Sequence, residues 1–102
     1  MKKINKYQRN GKTPFDERFQ QIKDDRAKAR IIMRIDRLAQ GNPGDYKQLD
    51  AQLYELRIDV GKGWRVYYTH ENGQIILLML VGDKPKQAED IQTVRSWLNE
   101  KT

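Results

Sequence analysis

Leu53-Tyr54-Glu55-Leu56-Arg57-Ile58-Asp59-Val60, then Gly61-Lys62-Gly63, then Trp64-Arg65-Val66-Tyr67-Tyr68-Thr69-His70 is the stretch that decides the fold. Its apolar residues alternate. Tyr54, Leu56, Ile58 and Val60 fall on one face of an extended chain and Glu55, Arg57 and Asp59 on the other, because successive strand side chains point to opposite sides. Trp64, Val66 and Tyr68 alternate in the same way against Arg65, Tyr67 and Thr69. The glycine-rich 61–63 segment reads as the turn joining two antiparallel strands. Glu71-Asn72-Gly73 reads as a second turn, with Asn-Gly supplying the positive φ angles that tight hairpins need. A third strand over 74–82 completes an antiparallel meander.

The third strand is apolar on both faces from Ile75 to Val81, as strands covered on both sides are. Alternation therefore leaves its register open. A two-residue turn pairs Glu71 with Gln74, whereas a three-residue turn pairs His70 with Gln74. The two choices send opposite sides inward.

The covers lie on either side of the meander. Thr13 is an N-cap candidate, Pro14 suits the first helical position, and Asp16 and Glu17 favour the positive end of a helix. Phe15, Phe19 and Ile22 recur at helical spacing, so a helix runs to about Lys23. Asp24-Asp25 breaks it and caps a second helix with the apolar stripe Ile31, Ile32, Ile35, Leu38 and Ala39, ended by Gly41-Asn42-Pro43-Gly44. Downstream, Pro85 can start a final helix in which Ala88, Ile91, Val94 or Arg95, and Leu98 fall at helical spacing, with Trp97 beside them. Residues 3–9 offer a short first strand. The expectation is one α+β domain over residues 1–102: N-terminal strand, helical hairpin, three-stranded meander, C-terminal helix.

Composition narrows the function. The chain has 20 Lys and Arg against 14 Asp and Glu, a net charge of +6. That excess suits a polyanionic partner such as nucleic acid, and equally suits plain solubility. There is no cysteine and one histidine, His70, so neither disulfides nor a zinc centre is expected, and no cofactor. The longest apolar run, Ile75 to Val81, is far short of the roughly 20 residues of a membrane span. No apolar segment follows the basic N-terminus, and a cytoplasmic protein without membrane contact is expected.

Two groups of cations stand out. With a three-residue turn at 61–63, Val60 faces Trp64, Asp59 faces Arg65 and Arg57 faces Tyr67. Arg57, Arg65 and Tyr67 then share the polar face, and Lys84 follows the third strand at its rim. Cleavage of RNA by its own 2′-hydroxyl needs a base, fixed positive charge on the phosphorane, and a proton for the leaving 5′-oxygen. Preorganised guanidiniums match the phosphate, and a lysine or tyrosine can move protons. The same residues equally make an ordinary cross-strand ion pair and a cation–π contact. Separately, Arg26, Arg30, Arg34 and Arg37 recur along the second helix. With Lys62 at the hairpin turn, they are candidates for RNA phosphates or simply a solvated surface.

Taken together, Tyr54-Glu55-Leu56-Arg57-Ile58, Gly61-Lys62-Gly63-Trp64-Arg65-Val66-Tyr67-Tyr68, Gly82-Asp83-Lys84 and a helix with Gln87, Asp90 and Ile91 resemble the phage-derived, HigB-like branch of the RelE/ParE toxin superfamily. Arg26-Ala27-Lys28-Ala29-Arg30-Ile31 and Gly41-Asn42-Pro43-Gly44-Asp45 are similar to that branch as well. The likeness spans about residues 13–98. It implies the toxin of a type II toxin–antitoxin system. Such a toxin is a ribosome-dependent mRNA endonuclease that inhibits translation, held in check by an antitoxin of helix-turn-helix type. Ribosome and mRNA would be its other partners.

Carried over by position, Arg57, Arg65 and Lys84 would be the catalytic cations, with Tyr67 or Tyr68 contributing; alternation favours Tyr67. The general base is open among Lys84, Asp83 and Glu55. Val81 before Gly82 and Pro85 after Lys84 depart from the branch's usual pattern. The alternatives are a ParE-type gyrase inhibitor without nuclease chemistry and a non-catalytic nucleic-acid-binding module.

Overall fold

A computed structural model describes residues 1–100. In chain order these form β1 (Lys3–Lys6), α1 (Pro14–Gln21), α2 (Asp25–Ala39), β2 (Tyr46–Gln48), β3 (Tyr54–Ile58), β4 (Trp64–Glu71), β5 (Ile75–Asp83), a 3-10 turn (Lys84–Lys86) and α3 (Gln87–Glu100). The α+β class and the order of elements follow the expectation. The strand count does not: five strands join in one sheet, ordered β1-β5-β4-β3-β2. The unexpected strand is β2. It has three exposed polar or amphipathic residues, Tyr46, Lys47 and Gln48, held by pairing with β3 rather than by burial. Only β1 runs parallel to its neighbour, β5.

The sheet separates two cores. On one side α1, α2 and the joint between them lay Phe15, Ile22, Ala27, Ile31, Ile35 and Leu38 against Leu56, Ile58, Trp64, Val66 and Tyr68. On the other side α3 lays Val94 and Leu98 against Leu53, Tyr67, Leu77, Met79 and Leu80. Period-2 alternation in β3 and β4 is what sorts these residues. Strand β5 needs more. Tyr67 pairs with Leu80 but Tyr68 pairs with Leu78, so Met79 is an extra residue in the ladder. This bulge lets the consecutive Met79 and Leu80 both enter the α3-side core. A strand that changes parity midway reads as apolar on both faces.

The joints explain the remaining differences. The loop between β3 and β4 spans 59–63, and Ile58 rather than Val60 faces Trp64. Gly61 and Gly63 both take positive φ, and the Gly63 N–H donates to Val60 O. The partners are therefore displaced by two residues, which leaves every side chain on its expected face. The next turn is 72–74: Glu71 pairs with Ile75, so neither pairing of Gln74 applies. Asn72 at φ 53° and Gly73 at φ 70° make that turn.

Thr13 holds the N-cap position of α1 without a side-chain capping bond. Asp24 does cap α2, accepting from Arg26 N at 3.0 Å and Ala27 N at 3.2 Å. Replacing Asp24 with alanine is expected to cost about 1 kcal/mol. Urea denaturation followed by circular dichroism measures it; an unchanged midpoint would show that the cap adds nothing.

Two expected core residues lie outside. Ile32 is 51% exposed, because α2 turns Ile31 and Ile35 inward and carries Ile32 past the edge of the interface. Ala88 is exposed too; the inward face of α3 is Asp90, Val94 and Leu98.

Candidate functional site

The α3-side face of β3 and β4 carries the polar cluster. Arg57 and Arg65 are direct partners across the two strands, and Glu55 pairs with Tyr67 one rung along that face. Opposed residues on neighbouring strands hold their Cβ atoms roughly 5 Å apart, and like charges so placed repel. The countercharge is Glu55, a carboxylate with 0% exposure. Its Oε1 accepts from Arg57 Nε at 2.9 Å and lies 3.4 Å from Arg65 Nε. Gln87, the first residue of α3, donates its amide to both oxygens at 3.0 and 3.1 Å.

The two arginines differ in access. The Arg57 side chain is 37% exposed and is held only through Nε among the described residues. Its two Nη groups make no hydrogen bond among the described residues. Arg65 is 9% exposed in its side chain, and its Nη1 donates to Trp64 O at 3.0 Å. It adds positive charge from behind rather than offering a full fork to solvent.

Tyr67 is wholly buried, and its hydroxyl has no hydrogen-bond partner among the described residues. Burial first, then the negative charge of Glu55 and Asp90, pushes its phenol well above the usual range. Burial does the same to Tyr68 on the opposite face. A phenol whose folded pKa is raised stabilises the fold fully below its ordinary pKa near 10 and loses that contribution as pH climbs through the raised value. Stability is therefore expected to fall steeply above about pH 10. Phenolate absorbance recorded alongside far-ultraviolet circular dichroism should show these two tyrosines ionising only with unfolding; ionisation in the native state would contradict their burial.

Lys84 follows β5 as the first residue of the 3-10 turn. Its N–H donates to Gly63 O at 3.0 Å, and its side chain is exposed beside Gly63. Since Arg65 pairs with Gly82, Lys84 leaves the strand close to the arginine pair. Asp83 caps the turn, accepting from Lys86 N, and lies 3.6 Å from Lys62 Nζ. Lys62 also sits over the Trp64 ring, so this lysine is already engaged.

The helix stripe lies elsewhere. Arg26, Arg30 and Arg37 are exposed on α2, which covers the face of the sheet opposite the arginine pair. Arg34 is not part of a free stripe: it donates to the carbonyls of Arg57, Pro43 and Asp45 at 2.7–2.9 Å, pinning the segment before β2 onto β3. His70 packs edge-on against Tyr54 and Tyr68, also on the α2 side. Burial and Lys2 lower its pKa, keeping it neutral at pH 7. Among the described residues no group of His, Asp and Glu side chains is arranged to hold a metal ion, and no helix is long and apolar enough to cross a membrane.

A second charged contact anchors α3 over the site. β1 pairs only with 75–78, leaving the second half of β5 without a strand on that side. Arg18 from α1 fills the gap, donating to Val81 O and gripping Asp90 of α3 through two bonds at 3.1 and 2.9 Å. Neither Glu55 with Gln87 nor Arg18 with Asp90 is signalled by local pattern. Each joins residues more than 30 positions apart.

The family described as phage derived protein Gp49-like (DUF891) matches residues 18–97. An uncharacterized protein of Haemophilus influenzae is 44% identical over 81 residues, which is 79% of this chain and 82% of that protein. No solved structure is significantly similar. The matched region contains every element from α2 to β5 and all the residues of the polar cluster.

Proposed function

The chain belongs to the phage-derived Gp49-like family, within the RelE/HigB-like toxin group, and from that premise we propose that it is the toxin of a type II toxin–antitoxin pair and cleaves mRNA. Acting as one RelE-like domain, it would use Arg57 to grip the scissile phosphate. Arg65 reinforces the positive field from behind, and Lys84 serves as the mobile cation at the rim. The observation that carries this reading is the pairing of two arginines on one sheet face, with the Nη groups of Arg57 free at the surface.

The chemistry follows from those groups. A guanidinium presenting two parallel N–H bonds matches two phosphate oxygens. Its charge is fixed before the reaction, so it favours the phosphorane, which carries more negative charge than the ground state. Lys84, exposed on a long side chain, is the candidate to move a proton at the 2′-hydroxyl or the 5′-oxygen. Tyr67 supports the site from beneath α3 and does not meet the substrate. Asp83 and Glu55 are committed to contacts within the protein. The exposed arginines of α2 face away and suit a second surface, either the ribosome or the antitoxin.

Induced expression in a bacterial host tests the reading. Growth arrest, shortened mRNA and unchanged plasmid supercoiling are expected, with arrest relieved by co-expression of a helix-turn-helix antitoxin. Intact mRNA with altered supercoiling would replace it with a ParE-type gyrase inhibitor. Salt-sensitive RNA binding without cleavage or arrest would replace it with a binding module.

A further inference from the structure

We propose that Glu55 is a positioning residue: it converts two repelling arginines into one phosphate-binding surface, and Gln87 fixes the carboxylate in turn. The inference rests on the endonuclease reading of the same cluster. Arg57 and Arg65 stand directly opposite each other, an arrangement a sheet tolerates poorly unless something draws the guanidiniums together. Glu55 does so with a single oxygen, which receives Arg57 Nε at 2.9 Å and faces Arg65 Nε at 3.4 Å. Both contacts use the inner Nε edge. With Nε taken up by Glu55 and the side chain 37% exposed, the Nη groups of Arg57 are left for a phosphate.

The geometry also argues against Glu55 as the general base. It has 0% exposure, so no ribose can approach it while α3 is docked. Both oxygens already accept hydrogen bonds from Gln87, and one also serves Arg57. Because Gln87 opens α3, the seating of that helix and the aim of the arginines are one arrangement. The two arginines and one carboxylate leave a net local charge of +1.

That charge balance separates positioning from simple electrostatics. Glu55→Gln keeps the side-chain shape and raises the local charge, so electrostatics alone predicts RNA binding that is equal or tighter and cleavage that is no slower. Positioning predicts equal or tighter binding with a cleavage rate constant lowered by up to about 100-fold. Single-turnover cleavage on programmed ribosomes, with Kd for a 2′-O-methyl oligonucleotide measured in parallel, reads both quantities. The pH–rate profile of Glu55→Gln should keep its shape; loss of its acidic limb would make Glu55 the base and overturn the proposal. Wild-type cleavage rates in the variant would also overturn it.

Gln87→Ala, which leaves all charges in place, should lower the rate in the same direction by a smaller factor and guards against a folding failure in Glu55→Gln. Proton–nitrogen spectra of the arginine side chains supply a readout independent of activity. The Arg57 Nε–H should exchange slowly in the wild type and quickly in Glu55→Gln. An unchanged signal would show that the carboxylate does not hold Arg57. If the wild-type protein cleaved no RNA, the endonuclease reading would fall, while the Arg57 signal would still report whether Glu55 holds the arginine.

Discussion

Replacing Arg57 with alanine is expected to lower mRNA cleavage by roughly 10²–10³-fold, the range seen when one preorganised donor to a developing oxyanion is removed. The side chain is the accessible member of the pair and, among the described residues, is held through Nε alone. Its loss should leave the fold intact: Glu55 keeps Arg65 within 3.4 Å and both bonds from Gln87. Arg57→Lys should recover little of the rate, because a point charge on a flexible stem can neither donate two parallel bonds nor keep the Nε contact with Glu55. Arg65→Ala also abolishes toxicity on this reading, but it is the less clean probe. Arg65 is nearly buried, and removing it leaves the Glu55 carboxylate with half its countercharge, so stability has to be measured beside activity. Rates on ribosomes together with thermal unfolding of each variant decide the point. An Arg57→Ala protein that folds and cleaves normally would remove the phosphate-binding role from this cluster.

The largest loss of stability is expected from a single methyl group. A Cβ at Gly82 would fall deep inside the van der Waals envelope of Asp90 Oδ2 and 3.0 Å from Arg18 Nη1. Asp90 is 2% exposed and cannot move to water without α3 lifting from the sheet. Gly82→Ala therefore either breaks the Arg18–Asp90 grip or unseats the helix. Uncoupling a buried carboxylate from its partner costs about 3–5 kcal/mol, and for a domain of this size each 1 kcal/mol lowers Tm by about 4–8 °C. A fall in Tm of more than about 12 °C is expected. The double variant Gly82→Ala with Asp90→Ala should lose less than the sum of the two single changes, since the methyl group then has no carboxylate to displace. Strict additivity would place the cost of the methyl group elsewhere. On the proposed reading the glycine also serves the site: it leaves room for Asp90, which seats the helix that Gln87 opens.

The two faces of β3 and β4 were legible because alternation over Tyr54 to Val60 and Trp64 to Tyr68 depends only on period 2. A partner error of two residues left that reading unharmed, and Arg57, Arg65 and Tyr67 do share one face. Strand β2 was silent because its three residues are held by backbone pairing and bury nothing. The bulge at Met79 was hidden because an apolar strand looks alike in either parity. Helical spacing placed Arg34 beside Arg26, Arg30 and Arg37, but spacing carries no information about the three carbonyls that capture it. The same limit applied to the site. The cations could be picked out by type and position, whereas the buried carboxylate and the amide that holds it become visible only when β3 and α3 are brought together.

The end groups of the RNA fragments test the central claim most directly. On this reading Arg57, backed by the charge of Arg65, stabilises the phosphorane formed when the neighbouring 2′-hydroxyl attacks and the 5′-oxygen is expelled. The expected products of cleavage by the wild-type protein on ribosomes are a 5′-hydroxyl and a 2′,3′-cyclic or 3′-phosphate, with no cleavage where the attacking ribose carries 2′-hydrogen. Fragments with 5′-phosphate ends, or cutting that survives the loss of that hydroxyl, would contradict it.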